Sequence, residues 1–235
     1  MPYSYVYYFD PTYVLVLAGA LLCILASAGV NSTYRKYARV AAYSGLTGAQ
    51  AVAKILAYSG ISDVQIEHVS GNLTDHYDPR AKVVRLSDST YNSTSVAAVC
   101  VAAHECGHVL QHHEGYAPLR FRTALVPVAN IGSTLGIPMI ILGVILSWNQ
   151  LLIQIGIWAF ALAVLFQLVT LPVEFNASSR ALQMVQQFGI LSEEETDSGK
   201  KVLRAAAMTY VAAAASSILQ LLRLILLFGR KNSRD

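Results

Sequence analysis

Residues 123–173 contain no Asp, Glu, Lys or Arg, and neither do 11–34 or 205–222. Nothing else in the chain constrains its fold as strongly. A globular domain carries charge on about 25% of its residues, whereas this chain is 13% charged and 54% hydrophobic. Its charges are confined to the remaining segments, so a water-facing part must alternate along the chain with segments that lie in a bilayer. Tyr13 to Val30 is apolar over about the length a spanning helix needs. The stretch 123–173 has room for two spans, and the polar tetrapeptide Ser147-Trp148-Asn149-Gln150 divides it into the halves of a helical hairpin. Pro127, Pro138, Gly132, Gly136 and Gly143 fall in its first half, where bilayer helices tolerate them. The run from Ala205 to Gly229 contains Gln220 and Arg223. It reads as a fourth span, with Arg223 near enough to its end to snorkel, or else as a helix lying along the membrane.

The basic residues set an orientation. Arg35, Lys36 and Arg39 follow the first run and Arg120 and Arg122 precede the second, while 1–12 and 147–150 have no Lys or Arg. The positive-inside rule predicts an outer N-terminus and hairpin tip, with both long polar segments in the cytoplasm. The same flanks predict an uncleaved anchor rather than a signal peptide, although Ala26-Ser27-Ala28 resembles a cleavage site. A net charge of +3, spread thinly, is no nucleic-acid surface, and no such partner is expected. Cys23, Cys100 and Cys106 imply no disulfide framework.

In the water-facing part a helix is predicted over 44–60, capped by Thr47 and ended by Gly60. Val64 to Val69 and Lys82 to Ser87 read as strands of a small sheet. A long buried helix begins behind Ser93-Thr94-Ser95 and continues from Val96 through Gln111. On it stands His104-Glu105-x-x-His108. Positions four apart share a helix face, so both imidazoles can meet one ion while Glu105 projects beside it as general base. Zinc suits two imidazoles and a carboxylate with one position left for water, and one zinc per chain is expected. Two core histidines on an apolar face are the plain alternative. Cys106 points to another side of the helix, so the third ligand must come from elsewhere. Glu174 is the best candidate: it follows Pro172, an expected helix start, and is the one acidic residue between Glu114 and Glu193. Two spans separate it from His108, and an even number of crossings returns the chain to the same side.

Other residues have two readings each. His112, one turn past His108, is a candidate to hydrogen-bond a metal ligand or to face the substrate, whereas His68 and His76 read as surface residues. Arg180 and Tyr210 are candidate donors to a developing oxyanion, or a surface cation and an interfacial aromatic. The strand Lys82-Val83-Val84-Arg85-Leu86-Ser87 is expected to be an exposed edge that pairs with an extended peptide substrate, or else an internal strand.

The stretch His104-Glu-Cys-Gly-His108-Val-Leu-Gln, with Leu73-Thr-Asp-His-Tyr-Asp-Pro79, Val84-Arg-Leu-Ser87 and Pro172-Val-Glu-Phe-Asn-Ala-Ser178, resembles the YugP-type membrane-bound neutral zinc metallopeptidases over nearly the whole chain. More distantly, the layout is similar to the HtpX and CAAX prenyl protease family. There an Asp four residues after the metal-binding Glu orients a metal histidine. Here Ser178 stands at that position, and a hydroxyl can still hydrogen-bond an imidazole, though without charge. The resemblance implies a cytoplasmic-membrane peptidase. The fold expected is a mainly α-helical integral membrane protein with a small β-sheet, a gluzincin-like metallopeptidase core on three to four transmembrane helices. Its parts are an anchor at 1–34, a cytoplasmic part at 35–122, the hairpin at 123–173, a ligand-bearing helix at 174–204 and a hydrophobic helix with basic tail at 205–235. The activity expected is a zinc endopeptidase cutting polypeptides, membrane proteins among them, beside the lipid bilayer. An intramembrane metalloprotease and a zinc-binding pseudoenzyme or scaffold are the alternatives. A transporter is disfavoured because the hairpin has no ionisable residue to line a path.

Overall fold

The charge-free runs form the longest helices. The computed structural model describes residues 10–229. In chain order these form α1 (Tyr13–Tyr37), α2 (Gly48–Tyr58), β1 (Gln65–Val69), β2 (His76–Asp78), β3 (Val83–Ser87), α3 (Val96–His113), α4 (Ala117–Ile145), α5 (Gln150–Gln187) and α6 (Glu193–Phe228). The protein is thus mostly helical with one small sheet. Helices α1, α4, α5 and α6 are long and apolar enough to cross a membrane, so the run containing Arg223 has the length of a fourth span. Residues 1–9 and the basic tail 230–235, on which part of the orientation argument rests, lie outside the described residues.

The contacts divide the chain into two units. The first takes in 126–167 with the described parts of 1–24 and 212–235. Its hairpin turns where the sequence predicts, with Ser147 and Trp148 at φ of 55° and 62°. There Asn149 accepts a hydrogen bond from the Leu152 amide, satisfying a donor of the first turn of α5. Small residues bring the two arms together: a Cβ at Gly132 would strike the Ala159 carbonyl oxygen, and one at Gly136 would lie 3.2 Å from that of Gly156. Such close backbone approach is what helix pairs in lipid depend on. Large apolar side chains point away from the contacts, Ile145 and Trp158 each being 72% exposed. Arg223 does not snorkel unpartnered. Its guanidinium lies 3.4 Å from Asp10 and 4.3 Å from the centre of the Tyr13 ring.

The second unit comprises 25–125 and 168–211. Thr47 and Gln50 form a reciprocal capping box at the start of α2, and Gly60 follows the helix at φ 69°. Ala51, Val52, Ile55 and Leu56 form the buried stripe of α2, in one core with Val99, Ala103 and Cys106 of α3. Ser95 caps α3 by accepting from the Ala98 amide. The sheet has the order β1-β3-β2, with β1 parallel and β2 antiparallel to β3.

This order corrects the reading of Lys82–Ser87 as an exposed edge. Val84 pairs with Ile66 on one side and Tyr77 on the other, and beyond the end of β2 the Asp75 carboxylate takes both the amide and the hydroxyl of Ser87. The segment has no free edge. Its apolar content reported burial, and burial of side chains does not say which strands flank a backbone. The strands that leave an edge unpaired are β1 and β2, and of these β2 is too short for a pattern of its own. Pro172 also departs from expectation: it lies inside α5 rather than at a helix start. A bilayer helix tolerates the missing amide, and α5 continues through Glu174 until Gly189, at φ 58°, follows its end.

Candidate metal centre

Helix α3 turns His104, Glu105, His108 and Gln111 toward α5. The approach is close because of Gly107, where a Cβ would strike the Ala177 carbonyl oxygen of α5. Glu174, three residues before Ala177 on α5, and Ser178, the residue after it, are thereby brought to the two histidines. The Glu174 Oε2 lies 3.3 Å from His104 Nε2 and 3.6 Å from His108 Nε2. Among the described residues these three side chains form the group able to hold a metal, their ligand atoms all within 4.8 Å of one another.

The protons on the imidazoles follow from the hydrogen bonds. Gln111 is fully buried and its amide nitrogen donates to the Val173 carbonyl at 2.8 Å and to Asn176 Oδ1 at 2.9 Å. Its oxygen therefore faces His108 Nδ1, 3.0 Å away, and that nitrogen must carry the hydrogen. Ser178 Oγ sits 3.1 Å from His104 Nδ1, and as an acceptor there its oxygen leaves the Nε2 lone pair of that ring for a metal. With both Nδ1 atoms engaged, the two Nε2 lone pairs and a carboxylate oxygen converge. Glu174 Oε2 is buried without a hydrogen-bond partner, which is costly unless a cation neutralises it. Two ligand atoms bound to zinc at tetrahedral angles stand roughly 3.3 Å apart, close to the two distances from Glu174, and two imidazoles with a carboxylate are a donor set that suits that ion. Burial works against charge on His108, yet Glu174 and Glu105 outweigh it and push its pKa up; the centre attracts positive charge. Cys106 is buried elsewhere, and burial drives up the pKa of both it and Cys100, the latter to about 12. Neither thiol is a ligand.

Two cavities of about 250 and 730 Å³ meet at this centre, sharing Asp75, His104, Glu105, Glu174 and Tyr210. Tyr210 and Glu105 thus line both cavities. Arg180 does not. Its Nε donates to Asn176 at 2.8 Å, its Nη2 pairs with Glu114 at 2.7 Å, and its guanidinium stacks over Tyr116, which corrects the reading of it as an oxyanion donor. His112 is held by the Tyr77 hydroxyl at 3.1 Å and lines the larger cavity, outside the ligand group. No residue of Lys82–Ser87 lines either cavity; His76 and Tyr77 of β2 stand there instead. Gln111 was passed over, although its spacing of three residues from His108 and seven from His104 puts it on the same helix face. Arg122, read only as an orientation marker, has a guanidinium nitrogen 4.0 Å from Glu174.

This geometry accords with the comparisons to known proteins. The family described as "Putative neutral zinc metallopeptidase" matches residues 12–229, and the chain belongs to that family. Within it, the chain is 47% identical over 221 residues to the "Putative membrane protease YugP" of Bacillus subtilis (strain 168), covering 94% of this chain and 97% of the relative. No solved structure matches.

Proposed function

We propose that the protein is a membrane-bound zinc endopeptidase with one zinc per chain, held by His104, His108 and Glu174 in a gluzincin-like core. The observation that carries this reading is the convergence of two Nε2 atoms and an unpartnered buried carboxylate oxygen, with both Nδ1 atoms already engaged. Zinc would supply Lewis acidity toward a peptide carbonyl and toward water. The chain's own residues do the rest. Gln111 and Ser178 hold the rings in one tautomer and orientation. Glu105, outside the ligand group and 8% exposed, accepts the proton of the attacking water and passes it to the departing amine nitrogen. Tyr210, which lines both cavities beside Glu174, donates its hydroxyl hydrogen to the carbonyl oxygen as negative charge builds on it. The free edge of β2 is the place for an extended substrate backbone.

The basic flanks of the spans support a cytoplasmic-facing site at the plasma membrane, with 35–122 and 174–204 as the catalytic part and 1–34, 123–173 and 205–235 as anchor. An intramembrane protease is less well supported, since α3 is not among the helices apolar and long enough to cross and packs on α2 and the sheet. The test is zinc content beside proteolysis of a quenched peptide. Glu105→Gln should keep the metal and lose at least a hundredfold in turnover, in line with general-base contributions of about 10²–10⁴. His104→Ala and His108→Ala should lose the metal. Near-normal turnover in Glu105→Gln would sink the mechanism, and full zinc retention in both histidine variants would sink the ligand set.

A further inference from the structure

The two halves of the cleft differ in chemistry. The 250 Å³ half is walled by Val30, Val101, Val202, Ala206 and Ala207 and has no Lys or Arg on its wall. The 730 Å³ half has Arg80, Arg120 and Arg122. The carboxylates on that second wall are Asp75, Glu105 and Glu174. Asp75 commits both oxygens to Ser87, and Glu105 and Glu174 belong to the metal centre. No acidic side chain of the wall is therefore left for Arg80 or Arg120. Among the described residues neither guanidinium has a hydrogen bond or ion pair. Lys82, Arg85 and Arg180 of the same unit are by contrast paired with Asp63, with Glu67 and Asp78, and with Glu114. The two arginines come from separate elements, Arg80 from the turn after β2 and Arg120 from the start of α4, yet they line one concavity that ends at Glu105. A guanidinium presents a planar fork of donors whose geometry matches a carboxylate.

We propose that Arg80 and Arg120 form a subsite for a substrate carboxylate, the side chain of Asp or Glu or a free C-terminus, while the apolar half takes an apolar side chain from the other side of the bond to be cut. This rests on the peptidase reading and narrows its substrates to segments acidic on one flank and apolar on the other. Both arginines are exposed where they line the cavity, and a carboxylate held beside them by the rest of a bound peptide gains more from the contact than one free in solvent.

The test uses the full chain, zinc-loaded and carrying Glu105→Gln, in nanodiscs of phosphatidylcholine. Fluorescent peptides with a central Leu carry Glu, Gln or Lys at each flanking position in turn, with a free or amidated C-terminus, and binding is read by anisotropy. The Glu peptide should bind at least tenfold more tightly than the Gln peptide on one flank only. Adding Arg80→Glu and Arg120→Glu together should reverse the order in favour of Lys. A gain that follows the free C-terminus rather than the Glu side chain identifies the terminal carboxylate as the group recognised, and one that follows Glu identifies an acidic residue. Equal binding of the Glu and Gln peptides, or a preference that survives the double charge reversal, overturns the proposal. So does tight binding of phosphatidylglycerol, added to a parallel set of nanodiscs, through the same arginines with no peptide preference, which would make the wall a headgroup site. In the chain with Glu105 restored, the kcat/KM ratio of the Glu and Gln peptides should follow the binding ratio. Binding preference without cleavage of any peptide would strike the peptidase reading and leave the subsite standing.

Discussion

Gln111 binds three partners from a fully buried position, one on its own helix and two on α5. Its amide is thus a tie between the helix that carries the histidines and the helix that carries the glutamate. Gln111→Leu keeps the volume and removes the tie, leaving the Val173 carbonyl and His108 Nδ1 without this partner. Each buried polar group left unsatisfied costs about 1–3 kcal/mol, and loss of an outer-shell partner weakens metal binding by about 10–100-fold. Thermal unfolding and competitive zinc titration check the two effects. A variant with unchanged zinc affinity would show that His108 is oriented by its ring packing alone. Of these polar partners, Ser178 was expected through the resemblance, which puts an Asp four residues after the metal-binding Glu. Gln111 could have been found by counting residues from His108. Arg180 was misplaced, because a spacing along one helix cannot tell which neighbour a long side chain will choose, and Glu114 and Asn176 claim it.

At the scale of elements, one contact between helices decides whether a site exists. Gly107 lets α3 lie against the Ala177 backbone of α5, and Glu174 reaches both histidines only at that separation. Gly107→Ala adds a single methyl group where there is no room, so the helices must move apart. Overpacking of this kind costs about 1–3 kcal/mol. The expected result is a lower melting temperature and at least a tenfold loss of zinc affinity, although Ala favours the helix more than Gly by about 1 kcal/mol. A melting temperature at or above that of the parent would show that propensity outweighs the contact. The sheet makes a parallel point. Because β3 is bonded on both sides, Val84→Pro should unfold the second unit rather than selectively weaken substrate binding, as circular dichroism and zinc loss would report. A folded, zinc-replete Val84→Pro protein would contradict the central placement of β3.

For the whole molecule, the proposed pairing of α3 with Glu174 requires residues 31–124 and 173–206 to share one side of the membrane, taken here as the cytoplasm. Cys100 and Cys106 are buried thiols with raised pKa and so should label poorly, which leaves Cys23 as the native cysteine most in need of removal. Single cysteines at Ser62 and Ser198 should then resist an impermeant thiol reagent in intact cells and react after permeabilisation. Labelling of one but not the other in intact cells would separate the histidines from Glu174. Labelling of both would put the whole site outside. A cysteine at Ser233 reports whether α6 completes a crossing.

Periodicity and charge are local properties, and what they govern was readable from the chain alone. The four long apolar helices, the hairpin turn at Ser147–Gln150, the capped helices α2 and α3, and the shared face of His104 and His108 all follow from hydropathy, caps and the pitch of a helix. These depend on residues a few positions apart. Which strands would flank β3, whether Pro172 starts or interrupts a helix, and where Arg180 and Arg122 would point depend instead on partners distant in sequence. The tertiary packing decided those, through strand order, through the burial that obliges Gln111 to find its partners, and through the absence of a side chain at Gly107.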